Sequence, residues 1–180
     1  MQPSHILSRV ADTDADADAD TVDTAPVPAL PKAAARWVHA FADLDATHTR
    51  AAHIGGKGLG LVRMAQHGLP VPPGCCIVAE AFGLVLQANG ICLEDVWQSA
   101  DAQEAERLAQ QIRDATLPPE LVQEIVAAWH ALGGDAVAVR SSAVDEDHAE
   151  HSFAGQHLTC LQVRDEAALL RSVLACWASL

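Results

Sequence analysis

The stretch AVAVRSSAVDEDHAEHSFAGQHLTCLQV, residues 136–163, contains two alternating apolar runs separated by a polar segment. Alternation with a period of two residues is typical of a β-strand that buries one face. The polar segment is acidic and contains glycine, which favours a hairpin-like loop. The first run ends at Arg140, which two serines follow. The stretch therefore predicts two neighbouring strands with a cation at the root of the loop that joins them.

Arg140 and the loop have two interpretations each. A guanidinium at the point where a strand opens into a loop suits bidentate contact with a phosphate, whereas an ion pair with a nearby loop carboxylate, Asp145 or Glu146, is the structural alternative. The small residues of Ser152–Gln156 let the backbone approach a ligand closely, with Thr159 on the next strand. An ordinary hairpin tip is the alternative there.

A second stretch, HIGGKGLGLVRMAQHGLPVPPG, occupies residues 53–74. Apolar residues at helical spacing follow Gly-Gly-Lys-Gly, and Gly68 and the prolines after it predict the end of that helix. A glycine turn at a helix N-terminus offers backbone N–H groups, a positive dipole end and here Lys57, all of which suit a phosphate. The pattern is not the Walker motif, and a turn with only a structural role is the competing interpretation.

The remaining pattern is that of an α+β protein. Residues 37–41 suit a short strand, although a helix fits nearly as well. Further expectations are a buried strand at 75–79, a helix at 80–89, helical structure over 93–132 with a break at 117–119, and an amphipathic helix at 166–178. Three tryptophans at helical apolar positions are expected in the core: Trp97, Trp129 and Trp177.

Composition restricts the function. The chain has 24 acidic and 11 basic residues and a formal net charge of −13, which argues against binding nucleic acid or an anionic membrane surface. There is no apolar window long enough to cross a bilayer and no signal peptide, so we expect the cytosol. The five cysteines form no C-x-x-C pair and predict reduced thiols, and the spacing of His148 and His151 matches no metal motif.

The domain boundaries follow from the N-terminal composition. Residues 11–24 hold six Asp and no cation, and the Pro-rich residues 25–31 follow. Such a segment has no apolar face to bury, so we expect residues 1–31 to be a disordered acidic tail and linker. The folded domain is then expected at residues 32–180. It ends on an apolar Trp-Ala-Ser-Leu, which predicts that the domain is truncated.

The two stretches together, the first extended through CCIVAEAF, resemble the signature segments of the nucleotide-binding domain of phosphoenolpyruvate synthase (pyruvate, water dikinase). Pyruvate phosphate dikinase and rifampin phosphotransferase share that domain. The two motifs occur in the family's order, about 80 residues apart. Together they are far more specific than either glycine cluster alone. The resemblance covers Trp37 to the end of the chain.

The resemblance implies the N-terminal portion of an ATP-grasp nucleotide-binding domain. In it Lys57 and Arg140 are the catalytic residues and contact the phosphates of ATP. Gly155 and Thr159 belong to the glycine-rich loop and strand that close over the nucleotide, with Gln156 beside them.

The resemblance also implies a reaction. Family members pass phosphoryl groups from ATP to a histidine on a mobile domain and then to pyruvate, giving phosphoenolpyruvate, AMP and phosphate. The Mg²⁺ ligands, the histidine domain and the pyruvate-binding domain are expected beyond Leu180, so this chain alone is expected to be inactive. The alternatives are a fragment of a rifampin phosphotransferase and a catalytically inactive remnant or regulatory binding module. The oligomeric state stays open.

Overall fold

The computed structural model describes residues 4–9, 36–47, 49–92, 102–142 and 158–179. The strands are β1 (Ser4–Arg9), β2 (Val38–Ala40), β3 (Gly74–Ile77), β4 (Val137–Ser142) and β5 (Thr159–Val163). The helices are α1 (Ala51–Gln66), α2 (Ala79–Ala88), α3 (Ala102–Arg113), α4 (Pro119–Ala131) and α5 (Glu166–Ala178), and a 3₁₀ turn, Phe41–Asp43, follows β2. The predicted α+β class is confirmed.

The strands form one sheet in the order β2-β3-β1-β4-β5, and each neighbouring pair is antiparallel. β1 is central: His5 pairs with Ile77 of β3 on one side and with Ser141 of β4 on the other. The two predicted strands around the acidic loop are confirmed as β4 and β5, with Arg140 opposite Thr159 at the root of the loop. The loop itself lies outside the described residues.

The prediction that residues 1–31 lie outside the fold is wrong for Ser4–Arg9. These six residues form the central strand, with Ile6 and Leu7 both buried. The physical reason is that an apolar pair of adjacent residues in a strand points to opposite faces of the sheet, and both faces are covered here. The composition of residues 11–24 does not apply to the six residues before it. Residues 10–35 lie outside the described part of the chain.

Helices cover the sheet on both faces. On one face α1 packs over Ile6 and Cys76, and its own Ile54 and Val62 are fully buried there. On the other face α2, α3, α4 and α5 enclose a larger apolar core, to which β1 contributes Leu7. Because neighbouring strand residues alternate between the two cores, the sheet forms the middle layer of the molecule.

Local sequence signals explain where the other elements begin and end. Of the predicted residues 37–41, Val38–Ala40 form a strand that pairs with β3, and Phe41 begins the 3₁₀ turn. Pro119 occupies the first turn of α4, where proline needs no hydrogen-bond donor, and this is the predicted break. Asp165 caps α5 by accepting a hydrogen bond from Ala168 N at 2.7 Å.

The predicted core tryptophans are confirmed in two cases. Trp129 and Trp177 are buried, whereas Trp97 lies outside the described residues.

Glu124 of α4 fixes the chain where it enters β2. Its carboxylate accepts hydrogen bonds from three successive backbone N–H groups, those of Arg36, Trp37 and Val38, at 2.8–3.1 Å. A carboxylate that accepts several backbone N–H bonds is strongly held in place. The edge strand is therefore anchored to a helix as well as to β3.

His5 is a buried polar residue at the centre of the sheet. Its ring is fully buried and lies 4.7 Å from the ring of Trp177. Among the described residues, neither ring nitrogen makes a hydrogen bond of good geometry, although the backbone of Ser4 and of Val173 lies close to the ring. Burial lowers the pKa of His5 from 6.5 to about 3, and the neighbouring backbone of Ser4 and Val173 offsets only part of that shift. His5 is therefore neutral in the folded protein at neutral pH.

This burial predicts a pH-dependent stability. Below about pH 6.5 the unfolded chain protonates His5 while the folded chain does not. The free energy of unfolding should therefore fall as the pH is lowered towards about 3, by about 1.4 kcal/mol per pH unit from this group. Urea denaturation of the protein and of the His5→Leu variant at about pH 7 and about pH 5 measures the effect. Parallel losses of stability in the two proteins would contradict the assignment to His5.

Candidate functional site

The glycine-rich segment forms a kink inside α1. Gly55 has φ 72° and ψ 168°, and this non-helical residue separates a short first helical segment from a longer second one. Gly56 and Lys57 therefore stand in the first turn of the second segment. The predicted order of glycine turn, helix and stop is confirmed, since Gly68 follows the helix with φ 72°. The first turn of a helix is where backbone N–H groups lack partners within the helix itself.

Ser142, the last residue of β4, joins the sheet to this kink. Its Oγ donates a hydrogen bond to the carbonyl oxygen of Ile54 at 3.0 Å and accepts one from Gly58 N at 3.1 Å. Its carbonyl oxygen accepts a third hydrogen bond, from Ser4 Oγ of β1, at 2.8 Å. Ser142 is fully buried. One serine thus binds both sides of the kink and the central strand.

Only glycine fits at position 55. A Cβ atom there would lie 2.1 Å from Ser142 Oγ and 2.2 Å from the Ser142 carbonyl oxygen. The positive φ adds a conformational penalty for any other residue. The glycine therefore permits a close approach between α1 and β4 in addition to making a turn.

Arg140 and Thr159 lie on the α1 side of the sheet. Arg140 is two residues from Ser142 on the same strand, so their side chains share a face. Its cross-strand neighbours are Ile6, which packs beneath α1, and Thr159. Arg140, Thr159 and Lys57 are all exposed.

The structure thus brings three of the predicted site residues together. Lys57 stands one residue before Gly58, which Ser142 holds, and Arg140 lies about 7 Å from Ser142 along β4. Thr159 is paired with Arg140 across the two strands. Arg140 and Thr159 therefore share one face of the sheet, and Lys57 belongs to the helix that packs on that face.

The other predicted site residues lie outside the part of the chain that the structure describes. Ser152, Gly155 and Gln156 belong to residues 143–157, as do His148 and His151. That segment leaves β4 after Ser142 and rejoins the described chain just before Thr159, so both of its ends are beside the Arg140–Thr159 pair. Whether Gly155 and Gln156 contact a nucleotide stays a prediction.

Sequence reasoning missed the supporting role of two serines. The sequence pattern predicts Ser142 only as part of the opening of a loop, and it predicts Ser4 in a tail. One sequence signal was available for Ser142: it lies two residues beyond Arg140, so its side chain is on the same face of the strand. Nothing in the local sequence of Ser4 indicates its partner, which lies 138 residues away.

A separate cavity of about 670 Å³ opens at the β2 edge of the sheet. In this cavity His53 Nδ1 lies 2.6 Å from Glu80 Oε1, and both side chains are half exposed. Arg36 lies over the ring of Trp37 at its rim, 5.2 Å from the ring centroid. The cavity is at the opposite edge of the sheet from the Arg140–Thr159 pair.

The buried cysteines Cys76 and Cys176 are thiols of low reactivity. All five cysteines are free thiols. Burial raises the pKa of Cys76 and of Cys176 to about 12, so both remain protonated and unreactive at neutral pH.

Comparison with known proteins identifies the family. Residues 51–180, which include α1, β4 and β5, match the model of the pyruvate phosphate dikinase AMP/ATP-binding domain. The chain belongs to this family. The resemblance drawn from the two motifs is thereby confirmed, and nucleotide binding is the property that the family description states.

Individual members of the family give the same result. The phosphoenolpyruvate synthase of Aeropyrum pernix is 38% identical over 143 residues, covering 71% of this chain and 17% of that protein. Phosphoenolpyruvate synthase from Pyrococcus furiosus is 31% identical over an alignment of 174 residues that covers 71% of this chain and 21% of that enzyme. The prodigiosin synthesizing transferase PigC of Serratia marcescens is 39% identical over 130 residues, 71% of this chain and 14% of that protein. The chain thus spans about a sixth of the length of these relatives.

Of the helices in the described residues, none combines the length and the apolar content that crossing a bilayer requires.

The kink predicts a large difference between two glycines of α1. Gly55→Ala should lower the free energy of unfolding by roughly 2–5 kcal/mol, because it combines a positive φ with overlap against Ser142. Gly60→Ala is the matched control: no atom lies within 4 Å of its Cβ position, and alanine should raise stability by up to about 1 kcal/mol. Urea denaturation followed by tryptophan fluorescence measures both. Equal effects at the two positions would show that the Ser142 contact is not what requires glycine.

Proposed function

We propose that this chain is the ATP-binding portion of a phosphoenolpyruvate synthase-like phosphotransferase and that its fold is the first part of an ATP-grasp domain. The observation that carries the proposal is the common placement of Lys57, Arg140 and Thr159 on one side of the sheet, on elements that all lie within the family match. Two cations beside a helix N-terminus form a site for a polyanion such as the phosphates of a nucleotide.

Each residue has a role that its chemistry supports. Lys57 supplies a compact positive charge beside the N–H groups of the first helical turn, and Arg140 supplies a planar guanidinium for bidentate contact with phosphate oxygens. Thr159 offers a hydroxyl, and Gly155 and Gln156 would close over the phosphates from the loop that joins β4 to β5. Phosphoryl transfer depends mainly on such positioning and charge stabilisation, so no covalent role is needed for these residues.

The described part of this site does not suit Mg²⁺. Lys57 and Arg140 are cations, and Mg²⁺ prefers carboxylate, phosphate and water oxygens. Within the described ranges, no three or more His, Cys, Asp or Glu side chains converge on one point. We therefore assign no Mg²⁺ ligand to these residues and expect the ligands in a region that corresponds to the part of the relatives' length that this chain does not span.

The proposed overall reaction converts ATP, pyruvate and water to phosphoenolpyruvate, AMP and phosphate. One phosphoryl group passes to water, and another passes through a histidine to the enolate oxygen of pyruvate. The histidine and pyruvate domains would belong to the four fifths or more of the relatives' length that this chain does not span. Pyruvate is favoured as acceptor because several relatives are named phosphoenolpyruvate synthases.

The proposal predicts the effect of removing either cation. Lys57→Ala and Arg140→Ala should each weaken ATP binding about tenfold or more, because a hydrogen bond to a charged group contributes about 1.5–3 kcal/mol. Matched controls are Arg63→Ala on α1 and Arg171→Ala on α5, which remove an exposed cation elsewhere. Isothermal titration calorimetry on the longest form of the protein that the gene encodes gives the affinities. Unchanged ATP affinity in both site variants, with the fold intact, would refute the assignment.

The acceptor is tested separately. The full gene product, incubated with ATP, is expected to form AMP and phosphate when pyruvate is supplied, and ³¹P NMR detects phosphoenolpyruvate directly. Phosphorylation of rifampin in place of pyruvate would transfer the assignment to the rifampin phosphotransferases. ATP binding without turnover on either acceptor would favour the regulatory binding module.

A further inference from the structure

The central strand lies outside the part of the chain that matches the family. The match begins at residue 51 and includes β3 and β4, whereas the strand between them, β1, comes from residues 4–9. β3 and β4 both run antiparallel to β1, so they are parallel to each other with one strand's width between them. The matched region thus contains a slot for one antiparallel strand, and an N-terminal segment fills it.

The connection to β1 is much longer than the distance it has to bridge. Residues 10–35 separate Arg9 from Arg36 and can extend over about 90 Å. The strand register places Arg9 and Val38 only about 16 Å apart, two strand spacings across and four residues along the sheet. The connecting chain therefore does not determine where β1 lies, and its own contacts must do so.

These contacts are those of a strand that docks as a unit. All six residues pair with β4, and four of them also pair with β3. Ile6 and Leu7 are buried in the two opposite cores, and Arg9 N donates a hydrogen bond to the Pro73 carbonyl oxygen at 3.0 Å. Main-chain pairing combined with a few buried side chains is how proteins bind an added β-strand.

The docked strand leaves some buried polar groups around His5 without hydrogen-bond partners. His5, its cross-strand partner Ser141 and Trp177 all carry buried side-chain polar atoms that have no hydrogen-bond partner among the described residues. Burial of such a group without a partner is unfavourable relative to its exposure to water. Withdrawal of β1 would release His5 to solvent and admit water to Ser141 and Trp177. This cost opposes docking and leaves β1 less firmly held than its buried area suggests.

β1 also contacts Ser142, the residue whose hydrogen bonds connect β4, the α1 kink and β1 beside the candidate site. This connection is called the Ser142 joint below. Ser4 Oγ donates to the carbonyl oxygen of Ser142, the residue that holds both sides of the α1 kink, and Ile6 is the strand neighbour of Arg140. Loss of β1 would remove one of the bonds that fix Ser142 and the strand beside Arg140. Whether β1 occupies the slot between β3 and β4 is thus coupled to the position of α1.

We propose that β1 is a separable strand: residues 4–9 dock in the slot between β3 and β4, can leave it while the rest of the domain stays folded, and fix the Ser142 joint when docked. The partner that the slot fits is an extended peptide that runs antiparallel to both neighbours. It carries two adjacent apolar residues at its centre, as Ile6 and Leu7 do here. This inference does not depend on the proposed nucleotide chemistry.

Cutting the connection in the full chain tests separability. A protease site is introduced within residues 11–24, the purified protein is cleaved, and a fluorescent peptide of residues 1–10 is added. The labelled peptide is expected to replace the original segment with one-to-one stoichiometry, as measured by fluorescence anisotropy and by intact mass after gel filtration. A peptide with Leu7→Asp should fail to bind, because it places a charge in the core. The Ser8→Ala peptide is the control, since Ser8 is only partly buried, and should bind normally.

Two outcomes would overturn the proposal. If the cleaved protein keeps its own segment and takes up no labelled peptide even after days, β1 is a permanent part of the core. If the segment leaves and the remaining chain loses its helical circular dichroism, β1 is required for folding and is not a separable strand.

Hydrogen exchange tests the coupling to α1 without any nucleotide. When the segment is released, the amide of Gly58 should exchange faster, and added peptide should restore its protection. In the Ser142→Ala protein the amide should exchange rapidly whether or not the peptide is present, because its acceptor is gone. Equal protection of Gly58 with and without the peptide in the unmodified sequence would refute the coupling.

Discussion

The hydroxyl of Ser142 holds together segments that are far apart in the sequence. It bonds to Ile54 and Gly58 on either side of a helix kink, and the carbonyl of the same residue bonds to the central strand. Each of these bonds is buried, so its loss would leave an unsatisfied polar group at a cost of about 1–3 kcal/mol. The kink, the glycine it requires and the position of Lys57 all depend on this joint.

The site illustrates how a local charge can oppose the charge of the whole chain. The protein carries a formal net charge of −13, yet Arg140 of β4 and Lys57 of α1 are exposed cations on the same side of the sheet. Net charge argues against partners that cover a large surface, such as nucleic acid, because those interactions sum over many residues. It does not argue against a small polyanion, which needs only a few cations and backbone N–H groups at close range.

Membership of the AMP/ATP-binding domain family accounts for α1, β4 and β5 but not for the strand at the centre of the sheet. That strand brings an unpaired imidazole into the core, and its burial depresses the pKa of His5. The strand thus combines apolar burial with a group of buried polar atoms that have no hydrogen-bond partner among the described residues. It also contacts Ser142, which lies beneath the candidate site.

The sequence by itself determined the elements whose signals are local. Alternation predicted β4 and β5, the glycines and prolines around Lys57 predicted a glycine turn, a helix after it and the end of that helix, and two motifs in order identified the family. Only the tertiary structure decided that residues 4–9 form the central strand and that Ser142 is the joint. The reason is that these contacts link positions 84, 88 and 138 residues apart, and a hydrogen bond between such positions leaves no periodicity in the sequence near either partner. For β1 the prediction from composition was wrong, because the Asp-rich residues that follow the strand dominate the composition of the N-terminal segment.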